Sequence, residues 1–122
     1  MRRKIFICDD DKNIVEMLEM VLQEYTQAEI ITETDSRNAF DRLLMEHPDI
    51  LIVDISTPVV SGDKLIREIR NDPMISQMFI ICMSANPIGE QIATQSGADT
   101  YLAKPFDMHQ LLDVIGSVAK TG

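Results

Sequence analysis

The run Asp49-Ile50-Leu51-Ile52-Val53-Asp54-Ile55-Ser56-Thr57-Pro58 limits the fold more than any other stretch. Ile50 to Val53 are large and apolar without polar alternation, which predicts a strand buried on both faces, central in a parallel sheet. Pro58 has no N–H for a ladder, so the strand ends before it. Asp54 therefore falls at the carboxyl end of a buried strand, the edge where open α/β sheets place their ligands. An acid there is either an end-of-strand cap or a working group, and this stretch alone leaves both open.

The chain has 122 residues, 45% of them hydrophobic and 25% charged, enough for one globular domain with its own core. No long apolar run reads as a membrane span and no leader pattern precedes the first strand, so a cytoplasmic protein is expected. The formal charge of −9 opposes non-specific binding to nucleic acid, whose phosphates need Lys and Arg opposite them. Cys8 and Cys82 lie inside apolar runs and lack CxxC spacing, so they read as core thiols in a reducing compartment.

Other segments repeat the theme. Lys4 to Cys8 is an apolar strand run ending at Asp9-Asp10-Asp11. Ile14, Leu18, Val21 and Leu22 then recur at helical spacing, predicting a helix over Lys12 to Tyr25 with Asp11 as N-cap. Glu29 to Thr34 is a more polar strand, hence an edge. Asp35 or Ser36 caps a helix presenting Ala39, Phe40, Leu43 and Leu44 and ending near His47-Pro48. After the strand to Asp54, a loop through Pro58 and Gly62 leads to a helix with Leu65, Ile66 and Ile69, stopped by Asn71-Asp72-Pro73. Met78 to Met83 is a fully apolar strand ending at Ser84. Ile88 to Gln95 is a weak helix closed by Gly97, Thr100 to Ala103 a short strand, and Asp107 the cap of a last helix with Leu111, Leu112, Ile115 and Val118. Met17, Met20, Met45, Met78 and Met83 are expected to fill core and near-core positions, and His47 and His109 to sit solvated on helix faces.

Five strands alternating with five helices predict a doubly wound, three-layer α/β domain with parallel strands and right-handed crossovers. A polar second strand and apolar third and fourth strands favour the flavodoxin-like order 2-1-3-4-5. The chain reads as a single domain over 1–122, without linker or repeat. In that topology Asp9, Asp10, Asp54, Ser84 and Lys104 come to one sheet edge from separate strands. Clustered carboxylates repel one another unless a cation intervenes. Hard oxygen donors without His or Cys favour Mg2+. Such a set suits receipt of a phosphoryl group, with Asp54 as nucleophile and metal and Lys104 neutralising its oxygens.

These residues resemble a response-regulator receiver domain from end to end. The matching features are Asp9-Asp10 after the first strand, Asp54 after the third, Ser84-Ala85 after the fourth, Gly97-Ala98-Asp99 before the fifth, and Lys104-Pro105-Phe106 after it. The resemblance implies that Asp54 accepts phosphate from the phosphohistidine of a histidine kinase or phosphotransfer protein. It implies that Asp10 and Asp54 bind Mg2+ directly with the backbone carbonyl of Ser56, and that Asp9 acts through a metal-bound water. It also implies that Ser84 moves to the phosphoryl group, that Lys104 bridges to it, and that Tyr101 turns inward with Ser84. The chain would catalyse only its own phosphoryl transfer and slow autodephosphorylation, so it is expected not to be an enzyme in the ordinary sense.

Thr57 and Ser61 depart from the family's usual Met and Asp, which touches only loop conformation. Ser56 and Asn86 flank the expected phosphoryl position and are candidates for setting its lifetime. The downstream surface is expected on the fourth helix, fifth strand and fifth helix, with Ile88, Gln91, Ile92, Gln95, Tyr101 and His109. Gln110 and Val114 replace the charged network of dimeric transcription-factor receivers, favouring a separate protein target and a monomer or weak dimer. An output module is not expected within the chain, although excision from a longer regulator or hybrid kinase is the alternative, as is a binding module that works unphosphorylated. A haloacid-dehalogenase-like phosphatase needs a second Asp where Ser56 stands. A flavin or nucleotide carrier would set its phosphate against the repelling Asp9-Asp10-Asp11 run.

Overall fold

The computed structural model describes residues 3–55 and 61–121. In chain order the elements are β1 (Lys4–Cys8), α1 (Lys12–Tyr25), β2 (Glu29–Glu33), α2 (Ser36–Glu46), β3 (Ile50–Asp54), α3 (Gly62–Asn71), β4 (Phe79–Ser84), α4 (Gly89–Ser96), β5 (Thr100–Ala103) and α5 (Met108–Thr121). The strands form one parallel sheet in the order β2-β1-β3-β4-β5, the order expected from their apolarity. β3, buried at every residue, lies at its centre.

Side chains alternate across the strands and build two cores. Phe6, Cys8, Leu51, Val53, Ile80 and Cys82 face α2, α3 and α4, meeting Ala39, Leu43, Leu65, Ile66, Ile69 and Ala93. Ile5, Ile7, Ile50, Ile52, Ile81 and Met83 face α1 and α5, meeting Val15, Leu18, Leu22, Leu111 and Ile115. Each Leu or Ile fully withdrawn from water stabilises the fold by roughly 1.5–3 kcal/mol, so the sheet is rigid where it carries the site. Cys8 and Cys82 flank Val53 in adjacent ladders, free and buried. Burial pushes both thiols up to about 12, with Glu33 and Asp9 adding to Cys8 and Asp54 to Cys82.

Local chemistry sets the helix ends. Asp11 caps α1 by accepting from the N–H groups of Asn13 and Ile14, and Asp35 caps α2 by accepting from Arg37 N–H. α4 ends at Gly97, whose φ of 108° suits a residue without Cβ. His47 is exposed but does not lie on a helix face. It closes α2 in the left-handed region, with its N–H on the Leu43 carbonyl.

The methionine expectation holds for Met78 and Met83, which are buried, and fails for the helical ones. Met17, Met20 and Met45 are 44%, 66% and 81% exposed. α1 turns Val15, Leu18 and Leu22 to the sheet, and at about 100° per residue Met17 and Met20 then point away from it. No helix among the described residues is long and apolar enough to cross a membrane.

Candidate functional site

Parallel pairing sets the strand ends level. Cys8 is opposite Val53 and Val53 opposite Cys82, so Asp9 and Asp54 leave the sheet side by side; Ser84 stands opposite Ala103, just before Lys104. Asp9 and Asp54 are buried, and Asp10 is exposed at the rim.

Lys104 reaches back across this edge. Its Nζ donates to Asp9 Oδ2 at 2.9 Å and to Asp54 Oδ2 at 2.5 Å. Asp9 Oδ1 accepts from the N–H of Asp11 at 2.9 Å. Burial pushes the Asp9 carboxyl above the usual range, against the bonds from Asp11 and Lys104, and the neighbouring Asp54 charge adds to the rise. Burial pulls Lys104 the other way, but its bonds to Asp54 and Asp9 outweigh it and hold the amine above the ordinary lysine value. The ammonium stays charged at neutral pH, between two carboxylates.

Ser84 is buried, and its Oγ accepts from Asn86 N–H at 2.9 Å. Its carbonyl gathers two donors, Lys104 N–H at 2.9 Å and the Tyr101 hydroxyl at 3.1 Å. Tyr101 is half-buried with its ring against the α4 side of the core. Thus Asp9, Asp54 and Lys104 form one contact group, and Ser84 and Tyr101 a second that joins it through the backbone of Lys104. Asp10 stands outside both. Ser56, with Thr57 and Pro58, lies outside the described residues.

Two glycines belong to this site, and sequence reasoning gave them no role there. A Cβ at Gly62 would lie 2.5 Å from the Asp54 carbonyl oxygen and 2.7 Å from Ile55 Cα, so α3 can start this close to the acid only with glycine. Gly89 crowds Ser84 and Tyr101 in the same way. The sequence signal was glycine at the first position of a helix, a residue that helical propensity disfavours.

Asp9 and Asp54 converge on a point already held by a cationic group, and their donors are hard oxygens. That donor set fits Mg2+, with water completing the shell. Among the described residues no group of three acid, His or Cys side chains closes into a ready-made cage.

The family profile for the response regulator receiver domain matches residues 5–116. The chain belongs to that family. It is 28% identical over 117 residues to the response regulator ArlR of Staphylococcus aureus, covering 96% of this chain and 52% of ArlR. It is 25% identical over 111 residues to the alkaline phosphatase synthesis transcriptional regulatory protein PhoP of Bacillus subtilis, covering 91% of this chain and 46% of PhoP. The chain thus spans about half the length of the curated relatives it matches. The solved structure of chemotaxis protein CheY4 of Vibrio cholerae superposes with a TM-score of 0.87 at 26% identity, covering 97% of this chain and 99% of that one. The receiver is the signalling module of two-component response regulators, a switch and not an ordinary enzyme.

Proposed function

We propose that this receiver is switched by phosphorylation at Asp54. A phosphohistidine on a histidine kinase or phosphotransfer protein brings its phosphorus in line with an Asp54 carboxylate oxygen. The P–N bond breaks, the O–P bond forms, and the imidazole leaves with a proton. Lys104 moves its pairing from the Asp54 carboxylate to the phosphoryl oxygens and offsets their charge. Asp10, Asp54 and the Ser56 carbonyl would hold Mg2+ directly and Asp9 through a water, the metal supplying charge neutralisation. Ser84 donates its hydroxyl to the phosphoryl group, and Tyr101, whose hydroxyl already meets the Ser84 carbonyl, turns further inward with it.

The observation that carries this reading is the single ammonium shared by Asp9 and Asp54, brought from three separate strand ends onto one buried point. A cap role for Asp54 needs no such amine. The chain's downstream contact is the face of α4, β5 and α5, where Ile88, Gln91, Gln95 and His109 are exposed and Ile92 and Tyr101 half-buried. The target there is a separate protein, met in the cytoplasm by a monomer or weak dimer.

The test is incubation with acetyl phosphate and Mg2+, read by intact mass. The wild type gains one phosphoryl group. Asp54→Asn gains none, and EDTA suppresses the gain. A phosphoryl gain that survives in Asp54→Asn moves the acceptor elsewhere and ends the proposal.

A further inference from the structure

Gly89 is buried at the first position of α4, with its N–H on the Asn86 carbonyl at 2.9 Å. Glycine weakens a helix relative to alanine, and Gly89 is not among the positive-φ glycines, so backbone conformation gives no reason for it. Its surroundings do. A Cβ there would meet Tyr101 Oη at 2.7 Å and Ser84 Cβ at 2.8 Å, separations that real Cβ atoms do not adopt, and would crowd Ser84 Oγ at 3.0 Å. The missing methyl is the space through which the Tyr101 hydroxyl reaches the Ser84 carbonyl.

We propose that Gly89 is the positioning residue of the switch: its bare Cα seats the tyrosine inward and couples Tyr101 to Ser84 through α4. This rests on the phospho-switch reading and deepens it. Of the groups a Cβ would strike, the Tyr101 hydroxyl is the far end of a side chain and yields by swinging outward. Ser84 is tied into β4 opposite Ala103, so it yields only if the first turn of α4 moves away from the sheet. Alanine at 89 therefore holds Tyr101 out and lifts the start of α4, whatever the state of Asp54.

The sequence supplies the probe. It has two tyrosines and no tryptophan, and Tyr25 is well exposed on α1. In a Tyr25→Phe background, Tyr101 is the only fluorescent residue, and acrylamide quenching reports its shielding. The parent is measured with and without beryllofluoride and Mg2+, beside Gly89→Ala and the control Glu90→Ala on the neighbouring exposed residue. In Gly89→Ala, quenching rises toward that of free N-acetyltyrosinamide and no longer falls when beryllofluoride is added. The parent and Glu90→Ala keep the shielded response. A Gly89→Ala protein with Tyr101 as shielded and as responsive as the parent overturns the proposal. If that variant melts too low to measure, Gly89→Ala/Tyr101→Ala decides. A melting-temperature cost of Gly89→Ala that is smaller in the Tyr101→Ala background than in the parent supports the conflict with Tyr101, and an equal cost in both, as the Ser84 contact alone would give, overturns it. A wild type that gains no phosphoryl mass removes the Asp54 reading alone, because the quenching comparison still reports the Gly89–Tyr101 contact.

Discussion

The two edges of the sheet pair cations with carboxylates in opposite ways. At the amino edge, Arg70 of α3 commits four of its five N–H donors. Its Nε donates to the Gly97 carbonyl at 2.9 Å, Nη1 to the carbonyls of Ser76 and Met78 at 2.7 and 2.6 Å, and Nη2 to Asp99 at 2.8 Å. Asp99 also accepts from Ile80 N–H at the start of β4 and donates its own N–H to the Ile80 carbonyl. One guanidinium against one carboxylate leaves that cluster neutral and ties α3 to β4 and the α4–β5 turn. At the carboxyl edge one ammonium faces Asp9 and Asp54, with Asp10 beside them, so negative charge is in excess. A balanced pair fixes structure, and an unbalanced one stores a demand for further positive charge.

That contrast can be broken residue by residue. The largest effect is expected at Arg70→Met, which strips the donor from three carbonyls and Asp99. Unfolding by urea should show a loss of about 4 kcal/mol, insensitive to Mg2+. Lys104→Met should cost about 3 kcal/mol in EDTA, because it leaves Asp9 and Asp54 facing each other without a cation. Unlike the first, this loss should shrink when Mg2+ is added; equal losses with and without the metal would erase the distinction between the edges. In the wild type the amine sits above its ordinary value. The stability from its pairs is thus complete below that value and disappears only as alkaline pH passes the folded-state value.

Asp9→Asn should act in the opposite direction. Burial holds this carboxyl above the usual range, so its contribution to stability is present below the ordinary Asp value and is lost as pH rises through the higher folded value. At pH 7 the asparagine form should be more stable, by on the order of 1 kcal/mol, and the gain should fade on acidification through the Asp range. The smallest effect is expected at Met20→Lys on the exposed side of α1, within about 0.5 kcal/mol in the same denaturation series.

These edges were unequally legible in the sequence. The carboxyl edge announced itself because Asp9, Asp54, Ser84 and Lys104 each follow an unmistakable apolar run, and topology does the rest. Strand order was legible for a related reason: the polar Glu29–Glu33 strand and the apolar β3 differ in how many faces they can bury. The Arg70 clasp left no local trace, since its partners lie up to 29 residues away and three of them are backbone carbonyls, which any residue type supplies. The close approaches at Gly62 and Gly89 were hidden for the same reason, being contacts between elements. The exposed methionines show the limit of composition. Met17 and Met20 are apolar, but the phase of α1 is set by Val15, Leu18 and Leu22.

The paired thiols beside Val53 have a practical consequence. With both sulfurs protonated and sealed in the sheet, the native chain presents no nucleophile to a maleimide or to Ellman's reagent at neutral pH. A single cysteine introduced on the surface would label alone. Slow colour development in the unaltered protein would count the moments when β1 or β4 comes away from β3.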